Sequence, residues 1–471
     1  MEMPGISVVI WLHDTREAYF RDLLESLVSQ TYDRWELYVL DQNPSMGFAA
    51  MVSEFFPEDD RAHYRKLKKN KGRAYAYNIG SHYVLADFGK KEKERSGNYI
   101  FFVGQHDRLQ EDALLQIAGA YHRYMQQNQE TPSLIYTDHD MLVGTDRMEP
   151  HFKPGLNREL LLHTNYIGNH FLVSNALIYQ LGEFRENLQE ACMYDYLLRV
   201  TEQDANVFRI PLLLYHERKR IPLPRKEEKK WKKRYVQEHM VVAEAALKRR
   251  QIAITGEPVP SPDQSWWNIS YDGADVMLHP RDYMFLHEPQ VRPLSRGNLQ
   301  KMYGYLRQGD VAVVGARFLK GGFAIENCGF IYDTQANIYP AFYDAKIYRP
   351  TYENLASIPR EVSMVDFRYC MIHAKVYRKL GGFDTNLFGR EQMLDFCLRA
   401  KKAGYRIIVD PGILVKSPGK QAESTEESHH LMLEKWADEW QKTDAYYNPN
   451  LPMGLHNYRL DLLGEEAEYN S

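Results

Sequence analysis

Three apolar runs in this 471-residue chain end in side chains that can move protons or hold cations. Trp35 to Leu40 ends at Asp41. Tyr99 to Val103 runs straight into Gly104-Gln105-His106-Asp107, and Ser133 to Thr137 ends at Asp138-His139-Asp140. Carboxylates accept protons and bind hard cations, and imidazole takes softer ones. Runs this short and apolar read as buried parallel strands. Each strand therefore delivers acidic or polar groups to one rim. Ligands of an open α/β sheet lie at the carboxyl ends of its strands, so that rim is the expected active site.

The elements that must position these groups begin at once. Ile6 to Leu12 is a β-branched apolar run, and from Thr15 onward Phe20, Leu23, Leu24 and Leu27 recur at helix spacing. With Trp35 to Leu40 they make a strand, a helix and a strand within 41 residues. The turn-rich Gln42-Asn43-Pro44-Ser45 closes this βαβ opening.

About two hundred residues separate two versions of one motif. Leu181-Gly182-Glu183-Phe184 with Met193-Tyr194-Asp195-Tyr196-Leu197-Leu198-Arg199 returns as Leu380-Gly381-Gly382-Phe383 with Met393-Leu394-Asp395-Phe396-Cys397-Leu398-Arg399. Pro211 and Pro411 close both copies. So long a period means a duplicated domain, not a stacked repeat. The expected division is 1–254 and 255–471, the first comprising 1–107, 108–215 and a basic linker with helix at 216–254. A proline-rich linker falls at Thr255 to Asp263. The second copy has only about twenty-five residues before its first strand, Tyr283 to Leu286, so most of a nucleotide-binding half is missing.

Bulk composition narrows the class. With 44% hydrophobic and 26% charged residues the chain reads as globular, and a net charge of −4 opposes a general nucleic-acid binder. No apolar run approaches the ~18 residues of a membrane span. Met1-Glu2-Met3-Pro4-Gly5 lacks the features of a signal peptide, and Cys192, Cys328, Cys370 and Cys397 form no C-x-x-C pair. A cytoplasmic location is the expectation. No P-loop, G-x-S-x-G or H-E-x-x-H pattern occurs. The basic stretch 216–235 either lies against anionic lipid or is a solvated linker diluted by Glu217, Glu227 and Glu228.

Taken in order, these segments resemble family 2 glycosyltransferases, inverting enzymes of the GT-A α/β fold, in their long two-domain bacterial form that builds surface polysaccharide. The resemblance rests on Ile6-Ser7-Val8-Val9-Ile10, Leu24 to Tyr32, Trp35-Glu36-Leu37 and Asn70-Lys71-Gly72 with Asn78. It continues through Tyr136-Thr137-Asp138-His139-Asp140, Phe152-Lys153-Pro154, Asn165-Tyr166-Ile167, Gly381-Gly382-Phe383-Asp384 and Asp444 to Leu451. It implies a nucleotide-diphosphate-sugar donor, a glycan or lipid-linked acceptor, and a divalent cation, Mn or Mg. A second copy or other transferases are the implied protein partners.

It also implies roles. Asp14, Glu17 and Asp41 fall on the nucleotide loops, with Gly72 and Asn78 on the next; Asp14 or Thr15 alternatively caps the following helix. Gly104 and His106 stand where the family has its D-x-D carboxylates. His106 or Asp107 with His216 is then the metal set, unless Asp107 caps the helix near Gln110 and His216 is an ordinary loop residue. The family's base position holds Met193, and Met393 in the second copy. Asp195, Asp138 and Asp140 are the rival carboxylates, Asp195 reading also as a polar tie at the helix start. A catalytically silent scaffold for an active transferase is the competing expectation.

Overall fold

The computed structural model describes residues 3–43, 47–57, 59–88, 98–203, 205–220, 222–273, 281–417, 424–455 and 457–460. Pro44 and Ser45 of the expected turn lie outside them. The chain forms two compact units, residues 1–153 with 165–246, and residues 154–164 with 247–471.

The first unit is α/β. Its strands are β1 (Ile6–Leu12), β2 (Trp35–Asp41), β3 (Ala62–Lys66), β4 (Tyr99–Val103), β5 (Arg108–Leu109), β6 (Leu134–Val143), β7 (Asp146–His151), β8 (Phe171–Ser174) and β9 (Val207–Arg218). They form one sheet in the order β3-β2-β1-β4-β8-β6-β9-β5, with β7 hydrogen-bonded to β6. From β3 to β4 all pairs are parallel, as are β6 and β9, while β8 runs antiparallel between β4 and β6.

Helices α1 (Glu17–Val28), α2 (Ala49–Phe55), α3 (Arg73–Phe88) and α4 (Ala113–Asn128) connect the early strands; α5 (Arg158–His163) belongs to the second unit. After it come α6 (Asn175–Leu181), α7 (Cys192–Thr201) and α8 (Arg225–Arg249). Phe20, Leu23, Leu24 and Leu27 of α1 are fully buried, each burial stabilising by roughly 1.5–3 kcal/mol. Gly80 lets α3 approach the sheet, since a Cβ there would stand 2.7 Å from Val9.

Two local expectations change. Neither Asp14 nor Thr15 caps α1: the cap position is Arg16, which makes no side-chain cap bond. The strand read as Ser133 to Thr137 continues to Val143, so Asp138, His139 and Asp140 lie within β6. Those polar residues sit in a strand because neighbours satisfy them, as described below.

The second unit contains the hairpin β10 (Val259–Pro260) and β11 (Trp267–Asn268), which occupies part of the expected linker. Then follow β12 (Tyr283–His287), β13 (Arg292–Pro293), α9 (Asn298–Leu306), β14 (Val311–Leu319), β15 (Ile325–Asn327), β16 (Phe330–Tyr332), β17 (Ile338–Pro340), β18 (Arg360–Glu361) and β19 (Tyr369–His373). Helices α10 (Ala374–Lys379) and α11 (Gly389–Lys402), strand β20 (Arg406–Lys416) and helix α12 (Glu426–Lys435) complete it. Its main sheet runs β12-β19-β14-β20-β13, with β15 on β14 and β18 on β20. The same sequence of antiparallel, antiparallel, parallel and antiparallel pairs links β4, β8, β6, β9 and β5 in the first unit. Among the described residues nothing corresponds to β1, β2 and β3.

Candidate functional site

At the carboxyl end of β2, Asp41 is fully buried. One carboxylate oxygen accepts from the Asn43 backbone at 2.8 Å and its side-chain amide at 2.9 Å; the other accepts from the Tyr64 hydroxyl and from Lys66 Nζ at 3.1 Å. Burial pushes its pKa up, but these four donors outweigh it and hold the group below the usual carboxylate range. With about four lone-pair sites on a carboxylate, Asp41 is saturated and anchors the loop. Asp14, with φ +49°, and Glu17 are exposed. Gly72 has φ +91°, which glycine alone adopts without strain, and its N–H donates to Asn70. Asn78 is buried and brackets Phe184, donating to its carbonyl and accepting from its N–H.

Between these loops runs a lacing that sequence reasoning missed. Gln105 accepts from the His13 N–H and the Thr15 hydroxyl and donates to the His13 carbonyl, while Trp11 donates to Gln42. The tips of β1, β2 and β4 are thereby held together.

Of the rival carboxylates, Asp195 is the clearest. It is fully buried, with one oxygen taken by Arg185 at 2.9 Å and the other by Arg199 Nε at 2.9 Å. Arg199 also donates to the carbonyls of Leu181 and Glu183. The second copy repeats this: Asp395 takes Arg399 Nε at 2.8 Å, and Arg399 donates to the carbonyls of Leu380 and Gly382. The D-x-x-x-R pair ties the glycine turn to the helix in both units, so Asp195 is a brace. Met193 is wholly buried. Asp138 accepts from the Lys153 N–H, and Asp140 is shared by His216 at 2.6 Å and Arg147 at 2.8 Å. Burial pushes Asp140 up, yet His216 and Arg147 hold it low.

His106, Asp107 and His216 face three different partners. His106 accepts from the Arg16 N–H, and burial lowers its pKa to about 4. His216 is bonded to Asp140. Asp107 neither caps a helix nor points outward: its oxygens accept from the Tyr215 hydroxyl at 2.5 Å and the Arg218 N–H at 2.9 Å. A Cβ on Gly104 would lie 2.0 Å from Asp107 Oδ2. The carboxylate of Asp107 thus fills the room a side chain at 104 would need. Among the described residues no three His, Cys, Asp or Glu side chains converge as a metal-ligand set. His106, Asp107 and His216 are each already engaged by another group, so as arranged they do not fit a resident divalent cation.

A different group converges. Tyr215 and Glu217 share one face of β9. Glu217, its side chain 38% exposed, lies 3.0 Å from His170 Nε2 and 3.7 Å from His139 Nε2. His139 stacks on His151 and His170 on Tyr215, ring centroids 4.4 and 3.8 Å apart. His139 and His170 are buried, and the Nδ1 atom of each has no hydrogen-bond partner among the described residues. Burial pushes Glu217 up, but His170, Lys153 and His151 outweigh it and keep the carboxylate ionised. Nearby, Arg73 lies 5.7 Å from the Trp11 ring centroid; burial works against its charge, yet Tyr77, Cys192, Glu190 and Glu217 raise its pKa. The signal for Glu217 was visible only as an acid in a basic stretch.

In that stretch several charges are paired: Arg218 with Asp22, Lys219 with Glu149, Arg220 with Glu228 and Arg234 with Glu190. Lys226, Lys229, Lys230, Lys232 and Lys233 remain exposed. Among the described residues no helix is long and apolar enough to cross a membrane.

Comparison with known proteins adds to this geometry. Residues 7–160 match the family model for glycosyl transferase family 2. The chain is 31% identical over 218 residues to the uncharacterized protein y4gI of Sinorhizobium fredii, covering 45% of this chain and 22% of that protein. It is 30% identical over 217 residues to the O-antigen biosynthesis protein RfbC of Myxococcus xanthus, covering 46% and 16%. The chain thus spans less than a quarter of either relative. Among solved structures, a mannosyltransferase, PcManGT from Pyrobaculum calidifontis in complex with GDP-Man and Mn2+, matches with a TM-score of 0.39 at 16% identity, covering 53% of this chain and 65% of that one.

Proposed function

We propose, from the match of residues 7–160 to the glycosyl transferase family 2 model, that the first unit transfers a sugar from a nucleotide-diphosphate donor to a glycan hydroxyl. The observation that carries this is the Glu217 cluster, an ionised, accessible carboxylate oriented by His170 and within electrostatic reach of the Arg73 cation. In this reading Glu217 takes the proton from the acceptor hydroxyl. The freed oxygen attacks the anomeric carbon from the face opposite the leaving group, with inversion. The bond from carbon to diphosphate oxygen breaks, its electron pair leaves with the diphosphate, and Arg73 meets that charge. Because the residues do not fit a resident cation, no step is routed through one.

The match to an O-antigen biosynthesis protein supports surface polysaccharide, or its lipid-linked precursor, as the acceptor class. The exposed lysines of α8 would serve contact with an anionic membrane face. The second unit is then a shortened copy without a donor site of its own. The competing scaffold reading draws on one observation: Met193 is wholly buried at the family's base position.

Isothermal calorimetry with uridine, thymidine and guanosine diphosphates, each with and without Mn2+, separates the two. Transfer requires that at least one binds, and that Glu217→Gln keeps this affinity while abolishing sugar release from the matching donor. Absence of heat with all three would leave the scaffold.

A further inference from the structure

The second unit contains a cavity of about 370 Å3 that plays no part in the reading above. That volume lies within the range of small-molecule sites, about 300–1,000 Å3. Its lining is unlike a packing defect. Trp266 is half-buried on one wall, and Asn268 and Lys301 are exposed at its mouth. On the floor Asp410 is 7% exposed, accepting from the Gly412 N–H at 2.7 Å and from the Tyr305 hydroxyl. Lys301 Nζ donates to the Gly412 carbonyl at 3.0 Å.

Gly412 keeps this floor open. A Cβ there would come within 3.0 Å of Asp410 Oδ1 and 3.5 Å of Lys301 Nζ. Any side chain would close over the carboxylate and the ammonium.

The duplication sharpens the point. Pro211 and Pro411 place Ile210 with Asp410 and Leu212 with Gly412 in the repeat. In the first unit Ile210 is an ordinary core residue, 1% exposed. At these repeat positions the second copy has a carboxylate and a glycine where the first has two apolar side chains. A carboxylate has about four lone-pair sites, so with donors from Gly412 and Tyr305 Asp410 keeps capacity to accept from a ligand.

We propose that this cavity binds a pyranose ring, with Trp266 against the ring face and Asp410, Asn268 and Lys301 bonded to its hydroxyls. An aromatic wall offers a flat apolar surface to the ring's C–H groups, and the three polar groups offer both acceptors and donors. A pyranose presents both kinds of surface. Recognition of this kind stands whether or not the first unit transfers sugar, since every residue involved belongs to the second.

The test is saturation-transfer NMR on the full chain with D-glucose, N-acetyl-D-glucosamine, L-rhamnose and maltotriose. At least one is expected to bind. Trp266→Ala and Gly412→Leu, the latter restoring the first copy's residue at an exposed position, should each weaken it by about tenfold, equal to 1.4 kcal/mol. Gly412→Leu, checked by its melting curve, decides the matter if Trp266→Ala does not fold. If none of the four sugars binds, or if both folded variants bind as the parent does, the proposal is overturned. Neither outcome touches the calorimetric test of the first unit.

Discussion

Replacing Asp195 by Asn is the sharpest way to separate a structural carboxylate from a catalytic one. Asn keeps the shape and removes the charge. Asp195 is fully buried and the Arg199 side chain only 12% exposed, whereas that of Arg185 is 41% exposed. Breaking a buried ion pair from one side costs about 3–5 kcal/mol. The Arg185 contact adds little, since solvent screens it to roughly 0–1 kcal/mol. Asn can still accept one hydrogen bond from Arg199, so the low end, about 3 kcal/mol, is the expected loss. That is a large share of a domain stability of about 5–15 kcal/mol. Urea unfolding followed by tryptophan fluorescence would read it as an earlier transition of the first unit. Asp395→Asn should produce a similar loss in the second unit, because its arginine makes the same three contacts. A donor-binding signal for folded Asp195→Asn should match the parent's. The brace would be refuted by a variant that unfolds like the parent yet no longer releases sugar.

Other outcomes follow from the same geometry. Met193→Asp places a carboxylate at a wholly buried position, so it should cost about 3 kcal/mol or more and yield no gain in sugar release; a stable, more active variant would contradict this. Gly104→Ala should destabilise by about 1–3 kcal/mol through collision with Asp107. Combined with Asp107→Ala, it should show a coupling of about 1 kcal/mol or more in a double-mutant cycle of unfolding energies; additive effects would mean the two positions do not share space. Burial lowers the His239 pKa from 6.5 to about 4. Between those values the unfolded chain binds the extra proton, so this contribution is present above pH 6.5 and is lost as pH falls toward 4. His239→Phe should therefore flatten the stability–pH slope in that window, measured by urea titration at each pH; identical slopes would show that His239 is charged when folded.

Much of the architecture was legible because hydrophobic period and β-branched runs report burial directly, as in Ile6 to Leu12 and Tyr99 to Val103. The helix at Phe20 to Leu27 was readable for the same reason. Side-chain direction was not. Asp41 and Asp195 stand at a strand end and in a first helical turn, and Asp140 follows an apolar run, where chemistry is expected; nothing in their spacing reveals that Lys66, Arg199 and His216 already hold them. His170 and Glu217 were overlooked because residues 47 apart meet only through the β8-to-β9 topology. Asp107 could be placed near Gly104 by number alone, but its return into the empty side-chain space depends on a turn that the sequence does not advertise.

That return constrains what position 104 can hold. An aspartate introduced at position 104 would meet an oxygen already lodged there, so it cannot fit while Asp107 stays in place. Both sites must shift together, and Tyr215 and Arg218 would lose the acceptor they share. Positions 104 and 107 thus behave as one site, with room for a single side chain between them.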